Sequence, residues 1–230
     1  MTERIVLILG AGPNIGHSVG KAFKDKGYRV AVTSRSADPN ASSSGELVIQ
    51  ADLSRQEAVS EVFEKVKSTW GAPHVVVYNA YVHTDNDPKD AFEVPAEVFT
   101  KSTFVNLISA YAAARETVQE WKAMSKSETN LTFIYTGNCA NTIPLTPLLD
   151  LSVGKAGSAN FVAIAAEAYK ENDNFRFYYA DQRTDDGTPM WDGPSGEGHA
   201  KLYMDLAESD ERRPWLQTFV ADQGYKRFAA

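Results

Sequence analysis

The sequence predicts an α/β protein, a single domain built on a doubly wound parallel sheet. Three observations support this fold class. Short apolar runs of β type alternate with helix-like segments along the 230 residues, and most runs are continuous, as in strands buried on both faces. Strand–helix–strand repetition places helices on both faces of a parallel sheet. A glycine-rich turn joins the first run to the first helix.

The predicted elements follow one another in a regular order. Strands are expected at residues 5–9, 28–32, 47–51, 75–78, 131–135 and 175–179. Helices are expected at residues 15–26, 57–70, 96–124 and 152–170. No linker rich in Pro, Gly or Ser divides the chain, so residues 1–230 are expected to form one domain. The irregular stretch 181–199 indicates a substrate loop or lid at about residues 181–215, with a surface excursion of no function as the alternative.

Composition limits the classes of function. The chain carries 23 basic and 30 acidic residues, which argues against nucleic acid as a partner because phosphate binding favours surplus Lys and Arg. It has no run of about 18 apolar residues, so no membrane partner is expected. A single cysteine, Cys139, fits a reducing compartment and an expected cytoplasmic location. The histidines follow no metal-ligand spacing, so no metal site is expected.

The glycine turn lies between the first predicted strand and the first predicted helix. It reads Gly10-Ala11-Gly12-Pro13-Asn14-Ile15-Gly16. Glycines at such a junction let the backbone turn sharply and approach a pyrophosphate at the helix N-terminus. The strict G-x-G-x-x-G pattern fails at Ile15, and a plain tight turn is the alternative interpretation. The position of the turn favours a Rossmann-like nucleotide site.

The residues after the second predicted strand indicate which dinucleotide binds. An NAD site places an acidic residue here to hold the ribose hydroxyls, but this chain has Ser34 and Arg35 and no carboxylate. A guanidinium can bind a 2′-phosphate through two hydrogen bonds, and the serine can donate another. NADP(H) is therefore the expected cofactor, with a solvated surface charge as the alternative role of Arg35.

Together these segments resemble the short-chain dehydrogenase/reductase family. The glycine motif has Asn14 at the family's middle glycine, and the turn is expected to survive because asparagine tolerates a left-handed backbone. Asp52-Leu53 resembles the pair beside the adenine ring, and Asn79-Ala80 matches half of the N-N-A-G motif. The resemblance implies that the cofactor contacts Gly10, Pro13, Asn14, Ile15, Gly16, Ser34, Arg35, Asp52, Leu53, Asn79, Ala80, Thr136, Lys155 and Thr188. It also implies a homodimer or homotetramer that pairs through the helices at 96–124 and 152–170.

The active-site motif departs from the family pattern. The tyrosine of Y-x-x-x-K is Leu151, and the position of the family's serine is Asn138. Lys155 and Asn106 match the other two members of the tetrad, so the resemblance implies Asn106, Asn138 and Lys155 as catalytic candidates. Asn138 is able to polarise a carbonyl, and Lys155 to bind ribose hydroxyls or act as an acid through water. The resemblance assigns Asn106 a structural water in the proton relay.

Leucine has no proton to donate, so another donor is needed if the protein is a reductase. Tyr81 and His83 follow the fourth strand, on the side of the sheet where ligands bind in such folds, although both are also ordinary loop residues. Three functions remain open. They are an NADP-dependent oxidoreductase acting on a small carbonyl or alcohol with an altered proton relay, a non-redox isomerase, dehydratase or cyclase, and a regulatory protein that senses NADPH.

Overall fold

The computed structural model describes residues 3–172, 174–191 and 193–228, and within them the chain forms eight strands and six α-helices. The strands are β1 (Ile5–Leu9), β2 (Arg29–Ser34), β3 (Glu46–Gln50), β4 (Val75–Tyr78), β5 (Leu131–Thr136), β6 (Phe175–Gln182), β7 (Leu216–Val220) and β8 (Gly224–Tyr225). The helices are α1 (Ile15–Asp25), α2 (Ala58–Trp70), α3 (Ala96–Thr103), α4 (Ser109–Ala123), α5 (Leu149–Ala168) and α6 (Gly196–Glu208). A π-helical turn, Phe104–Ile108, joins α3 to α4.

All eight strands belong to one sheet in the order β3-β2-β1-β4-β5-β6-β7-β8. Seven strands are parallel, and only β8 runs antiparallel to its neighbour β7. The order reverses between β1 and β4, and ligands of doubly wound sheets bind at the carboxyl ends of the strands beside such a reversal. The predicted fold class, a single-domain Rossmann-like sheet, is confirmed.

Side chains of the central strands alternate between two apolar layers. In β1, Leu7 and Leu9 face the layer formed with α2, α4 and α5, while Val6 and Ile8 face the layer formed with α1 and α6. Every residue of β1, β4, β5 and β6 is buried, which explains why these strands read as continuous apolar runs. None of the helices in the described ranges is long and apolar enough to span a membrane.

Two predicted segments are organised differently in the structure, whereas other predicted element ends shift by up to three residues. The segment 96–124, predicted as one helix, is divided by the π-helical turn, and the segment 181–199, predicted as irregular, lies partly in β6 and α6. Helix α6 begins after Ser195, whose hydroxyl accepts a hydrogen bond from Gly198 N at 3.0 Å. Of the predicted loop at about residues 181–215, the described residues 183–191, 193–195 and 209–215 lie outside regular elements. Of the C-terminal aromatics, Tyr203 and Phe219 belong to the core, while Trp191 is exposed.

A ladder of three tyrosines supports the π-helical turn. Tyr78, Tyr135 and Tyr179 occupy matching positions on β4, β5 and β6, and their rings stack with centroids 5.7 and 5.5 Å apart. The Tyr78 hydroxyl donates to the Val105 carbonyl at 2.6 Å, and the Tyr135 hydroxyl donates to the Asn106 carbonyl at 2.8 Å. A π-helical turn disturbs the regular backbone ladder, and these hydroxyls supply partners for buried carbonyls inside it.

Helix α5 passes very close to this turn at Gly154. A β-carbon built at Gly154 would lie 2.4 Å from the Asn106 Cβ. We therefore expect Gly154→Ala to lower the free energy of unfolding by about 1–3 kcal/mol, despite the better helix propensity of alanine. Gly157→Ala is the control, because its β-carbon would meet only the flexible end of Leu107 at 3.0 Å. Urea denaturation that found Gly154→Ala at least as stable as Gly157→Ala would contradict this packing.

Candidate active site and cofactor cavity

A cavity of about 340 Å³ opens at the carboxyl edge of the sheet, beside the reversal of strand order. Its wall contains eight of the predicted cofactor residues: Gly10, Pro13, Ser34, Arg35, Asp52, Leu53, Asn79 and Ala80. It also contains residues that the sequence did not single out, among them Thr33, Lys101 and Val105. The other predicted cofactor residues, Asn14, Ile15, Gly16, Thr136, Lys155 and Thr188, are not part of this wall.

The glycine turn forms one end of the cavity. Gly10 has φ +94°, and a β-carbon there would lie 2.5 Å from Ala80 N, so glycine is required both for the backbone and for the close approach of Ala80 just after β4. A β-carbon at Gly16 would lie 2.6 Å from the Ala11 Cα. A β-carbon at Gly12, in contrast, would have no described protein atom within 4 Å. The turn is therefore tightly packed at Gly10 and Gly16 and open at Gly12. An open backbone of this kind is what close approach to a pyrophosphate requires.

Asn14 connects the glycine turn to the segment after β6. Its φ is −97°, so the turn does not rely on the left-handed backbone expected for this asparagine. Its side-chain Nδ2 instead donates to the Pro194 carbonyl at 2.8 Å. A β-carbon at Gly196 would lie 2.5 Å from the Asn14 Oδ1, so the start of α6 also approaches this side chain closely. The loop at residues 183–195 is thereby fastened to the N-terminus of α1.

The far end of the cavity carries charged and polar groups. Arg35 is exposed directly after β2. Asp52 accepts hydrogen bonds from the Ser54 backbone N at 3.0 Å and from its hydroxyl at 2.8 Å, and these bonds hold the pKa of Asp52 below its ordinary value. Asn79 donates from Nδ2 to the Gly10 carbonyl at 2.7 Å and so braces the glycine turn. An exposed guanidinium here suits an anionic ligand.

Lys155 lies on α5, beside the cavity and nearly inaccessible to solvent. Its Nζ donates to the Thr136 carbonyl at 2.7 Å and lies 4.7 Å from the centre of the Tyr135 ring. Burial lowers the pKa of Lys155 to about 7, because removing the ammonium from water disfavours the charged form. An amine that titrates near neutrality is suited to proton transfer.

Asn106 sits in the π-helical turn with its hydrogen-bonding groups bound to protein. Its side chain clamps Val82, since Oδ1 accepts from Val82 N at 3.1 Å and Nδ2 donates to the Val82 carbonyl at 2.6 Å. Its backbone carbonyl accepts from the Tyr135 hydroxyl at 2.8 Å and from the Ser158 hydroxyl at 2.7 Å. A carbonyl oxygen has two lone pairs, so both are engaged. These contacts favour a positioning role for Asn106.

Asn138 lies where β5 ends, and its backbone N and carbonyl both bond the Tyr179 hydroxyl, at 3.2 and 2.9 Å. Its side-chain Oδ1 accepts from Ala140 N at 3.0 Å, which starts a short 3₁₀ turn. With Oδ1 engaged by Ala140 N, the N–H groups of the side-chain amide are the remaining donors of this side chain. Leu151 is buried nearby on α5, and burial raises the pKa of the Cys139 thiol, which argues against a thiolate nucleophile.

Thr188 lies in the segment between β6 and α6, and Asp150 lies at the start of α5. Thr188 lies in an exposed turn, where its backbone N and hydroxyl both donate to Asp186. Asp150 lies in the first turn of α5, and its carboxylate accepts from Thr84 N at 3.0 Å. It therefore fastens the segment after β4 to α5.

Tyr81 brings a phenol to the same region. Its side chain lines the cavity, is 59% exposed, and has its ring centre 5.9 Å from the Lys155 Nζ. The His83 ring lies parallel to it, with the two centroids 5.9 Å apart. The structure thus places one sequence candidate for the missing proton donor, Tyr81, beside the lysine that the family pattern retains.

Comparison with known proteins identifies the family of the chain. Residues 10–176 match the family model described as enoyl-(acyl carrier protein) reductase. The chain is 40% identical to the short chain dehydrogenase/reductase dmxR12 of Cryptosporiopsis sp. (strain 8999), over 100% of this chain and 97% of that protein.

Solved structures share the fold at low identity. A metagenomic short-chain oxidoreductase in complex with NADP superposes with a TM-score of 0.80 and 19% identity, over 96% of this chain and 98% of that one. A 4-hydroxyisoleucine dehydrogenase complexed with NADH superposes with a TM-score of 0.68 and 19% identity, over 79% of this chain and 76% of that one. With the family model and the close relative, these observations establish that the chain belongs to the short-chain dehydrogenase/reductase family.

Proposed function

We propose that the protein is an NADP(H)-dependent oxidoreductase that interconverts a small carbonyl compound and its alcohol. The observation that carries the proposal is the cavity at the carboxyl edge of the sheet, which runs from the open glycine turn to the exposed Arg35. A 2′-phosphate needs a cation at this point, and the described wall offers Arg35 where an NAD site has a carboxylate. The family relationship and a structural neighbour bound to NADP support the same choice.

The residues of the chain fit such a cofactor. The glycine turn would hold the pyrophosphate, Asp52 and Leu53 the adenine side, and Arg35 with Ser34 the 2′-phosphate. When bound, the reduced cofactor supplies a hydride to the substrate carbon. Asn138 would polarise the carbonyl through its amide nitrogen, and Lys155 would hold or deliver a proton near Thr136. Asn106 keeps the segment after β4 in place through its clamp on Val82.

The loop at residues 183–195 is proposed to form one wall of the substrate side of this site. Asn14 ties it to the glycine turn, so a cofactor that occupies the turn would also contact the base of the loop. A small molecule is the proposed substrate and a cytoplasmic location remains the expectation from composition.

A non-redox enzyme on the same scaffold is the second candidate function. It is favoured by Leu151, a buried side chain without a proton at the position of the family's tyrosine. Lys155 and Asn138 could then serve an isomerisation or dehydration while the cofactor only supports the structure. Deuteride transfer separates the two candidates, because only a redox reaction moves the label to the substrate.

The test uses NADPH deuterated at C4, in both stereochemical forms, with a panel of activated carbonyls that includes 9,10-phenanthrenequinone and ethyl acetoacetate. We expect one of the two forms to transfer its deuterium to the carbonyl carbon of at least one compound, as detected by mass spectrometry. Binding of NADPH without any transfer of label would contradict the oxidoreductase and favour the non-redox enzyme or an NADPH sensor.

We also propose that the protein forms a homodimer or homotetramer through α4 and α5. Tyr111 on α4 and Ile164 on α5 are 55% and 60% exposed, and Tyr111 packs edge-to-face on Phe161 of the neighbouring helix. Exposed apolar groups on adjacent helices are typical of an interface. Light scattering is expected to give a multiple of 25.2 kDa for the wild type, and Ile164→Glu is expected to shift it toward the monomer. An unchanged mass for Ile164→Glu, or a monomeric wild type, would exclude this interface; Ser60→Glu is the surface control.

A further inference from the structure

We propose that Tyr81 is the proton donor to the substrate carbonyl oxygen and that Lys155 returns the proton to it. The inference rests on the proposed oxidoreductase function and names the acid that Leu151 cannot supply. Tyr81 comes from the segment after β4, whereas Leu151 and Lys155 lie on α5, so the donor would approach the substrate from a different element.

The backbone on both sides of Tyr81 is fixed, as a positioned acid requires. On one side Ala80 N donates to the Leu9 carbonyl at 2.9 Å. On the other side Asn106 clamps Val82 through both of its backbone groups, and the Ser102 hydroxyl donates to the same Val82 carbonyl at 3.0 Å. The segment is held again by Asp150 at Thr84 N. Tyr81 is therefore held between two anchored neighbours.

Two tyrosines lie near the Lys155 Nζ, and they differ in whether the side chain reaches the cavity. Two phenol rings lie within 6 Å of its Nζ in the described part of the chain, those of Tyr135 at 4.7 Å and Tyr81 at 5.9 Å. The Tyr135 hydroxyl is buried and already donates to the Asn106 carbonyl. The Tyr81 side chain is exposed and lines the cofactor cavity. Of these two phenols, Tyr81 alone combines contact with the cavity and proximity to the lysine.

The step balances with the reduced cofactor as the only reductant. A hydride adds to the carbonyl carbon, the π-electron pair of the carbonyl moves onto its oxygen, and that oxygen takes the proton of the Tyr81 hydroxyl. The resulting phenolate takes a proton from the Lys155 ammonium through water, and solvent restores the ammonium. The pKa of Lys155, lowered to about 7 by burial, suits an ammonium that gives up a proton at neutral pH. Carbonyl, reduced cofactor and one proton give alcohol and oxidised cofactor.

His83 is the competing candidate for the proton donor, because its side chain lies next to Tyr81. Its ring lies parallel to that of Tyr81, and its Nε2 is 3.7 Å from the Asp85 carboxylate. The imidazole faces Asp85 and the Tyr81 ring, whereas the cavity wall includes Tyr81 and Val82 and not His83. This placement favours Tyr81, and the test below includes both side chains.

The test compares Tyr81→Phe and His83→Ala with the wild type, using the carbonyl compound that accepts deuterium most readily in the panel above. Tyr225→Phe is the matched control, because that tyrosine is also exposed but lies on β8 and is not part of the cavity wall. We expect Tyr81→Phe to lower kcat by roughly 10²–10⁴-fold while KM and the Kd for NADPH stay within about threefold. His83→Ala and Tyr225→Phe are expected to keep kcat within about tenfold.

The possible failures can be told apart. If the wild type transfers deuterium and Tyr81→Phe keeps kcat within about tenfold, the donor assignment is overturned while the oxidoreductase stands. A large loss in His83→Ala alone would reassign the donor to His83. If Tyr81→Phe loses NADPH binding in parallel with kcat, Tyr81 serves the cofactor and is not the acid. If the wild type transfers no deuterium to any compound, the proposed function falls and the donor assignment falls with it.

Discussion

Lys155→Met is expected to lower turnover by roughly 10²–10⁴-fold and to leave the fold intact. Methionine matches the length of the lysine stem but cannot hold a proton near Thr136 or return one to Tyr81. Stopped-flow reduction with deuterated NADPH measures the loss, and circular dichroism checks the fold. Lys122→Met is the matched control, because Lys122 also lies over a tyrosine ring, 5.8 Å from that of Tyr169, but is exposed on α4. Turnover within about tenfold of the wild type would remove Lys155 from the chemistry.

The same variant tests the burial of the ammonium. The folded-state pKa of Lys155 is about 7, well below the ordinary value of 10.5, so the unfolded chain binds more protons between these two pH values. The cost of the buried charge is fully present below pH 7 and fades as the pH rises to about 10.5. We therefore expect the wild type to gain stability relative to Lys155→Met over this range, by on the order of a few kcal/mol. Urea denaturation of both proteins at several pH values measures this difference in the free energy of unfolding. A difference that does not change with pH would contradict a buried lysine of lowered pKa.

Arg35→Ala is expected to weaken NADPH binding by about 10- to 100-fold and to leave NADH binding nearly unchanged. The exposed guanidinium stands directly after β2 on the cavity wall, and losing a charge-assisted contact to a phosphate costs about 1.5–3 kcal/mol. Titration calorimetry with both dinucleotides measures the change.

Arg55→Ala is the control for this variant, because Arg55 is an exposed arginine near Asp52 that is paired with Glu61 and is not part of the cavity wall. Equal losses for NADPH and NADH in Arg35→Ala would mean that Arg35 shapes the site generally and does not read the 2′-phosphate. A wild type that binds NADH as tightly as NADPH would also contradict the proposed cofactor preference.

Much of the fold could be predicted because its information is local. The central strands are buried on both faces and therefore read as continuous apolar runs, and Gly27 marks the end of the first helix. The π-helical turn could not be predicted in this way. The tyrosine hydroxyls that bond the Val105 and Asn106 carbonyls come from β4 and β5, so the interactions that support the turn are tertiary.

The C-terminal third was harder to predict for a different reason. Helix α6 begins with Gly196 and Gly198, two poor helix formers, so apart from the Ser195 cap its helical state depends on packing against α1 and the core. Strand β7 contains the polar residues Gln217 and Thr218, so it is neither a continuous apolar run nor a clear alternation of polar and apolar residues. Neither segment has a strong periodic signal on its own.

The candidate site also has one part that could be predicted from the sequence and one part that could not. The adenosine side of the cavity lies on turns that directly follow β1, β2 and β3, so its residues could be identified from their place after predicted strands. The contact of Lys101 and Val105 with this cavity depends on how α3 crosses the sheet edge, which no local pattern records. The 5.9 Å approach of Tyr81 to Lys155 joins residues 74 positions apart and required the structure.

A crystal structure of the protein with NADP⁺ tests the central claim most directly, because it locates the cofactor and the reacting groups together. We expect the 2′-phosphate on Arg35, the pyrophosphate on the glycine turn, and the nicotinamide beside Lys155. The nicotinamide C4 and the Tyr81 hydroxyl should then lie about 6 Å apart, so that one carbonyl group can bridge them. A nicotinamide bound away from Lys155, or a 2′-phosphate in solvent with no contact to Arg35, would contradict the account.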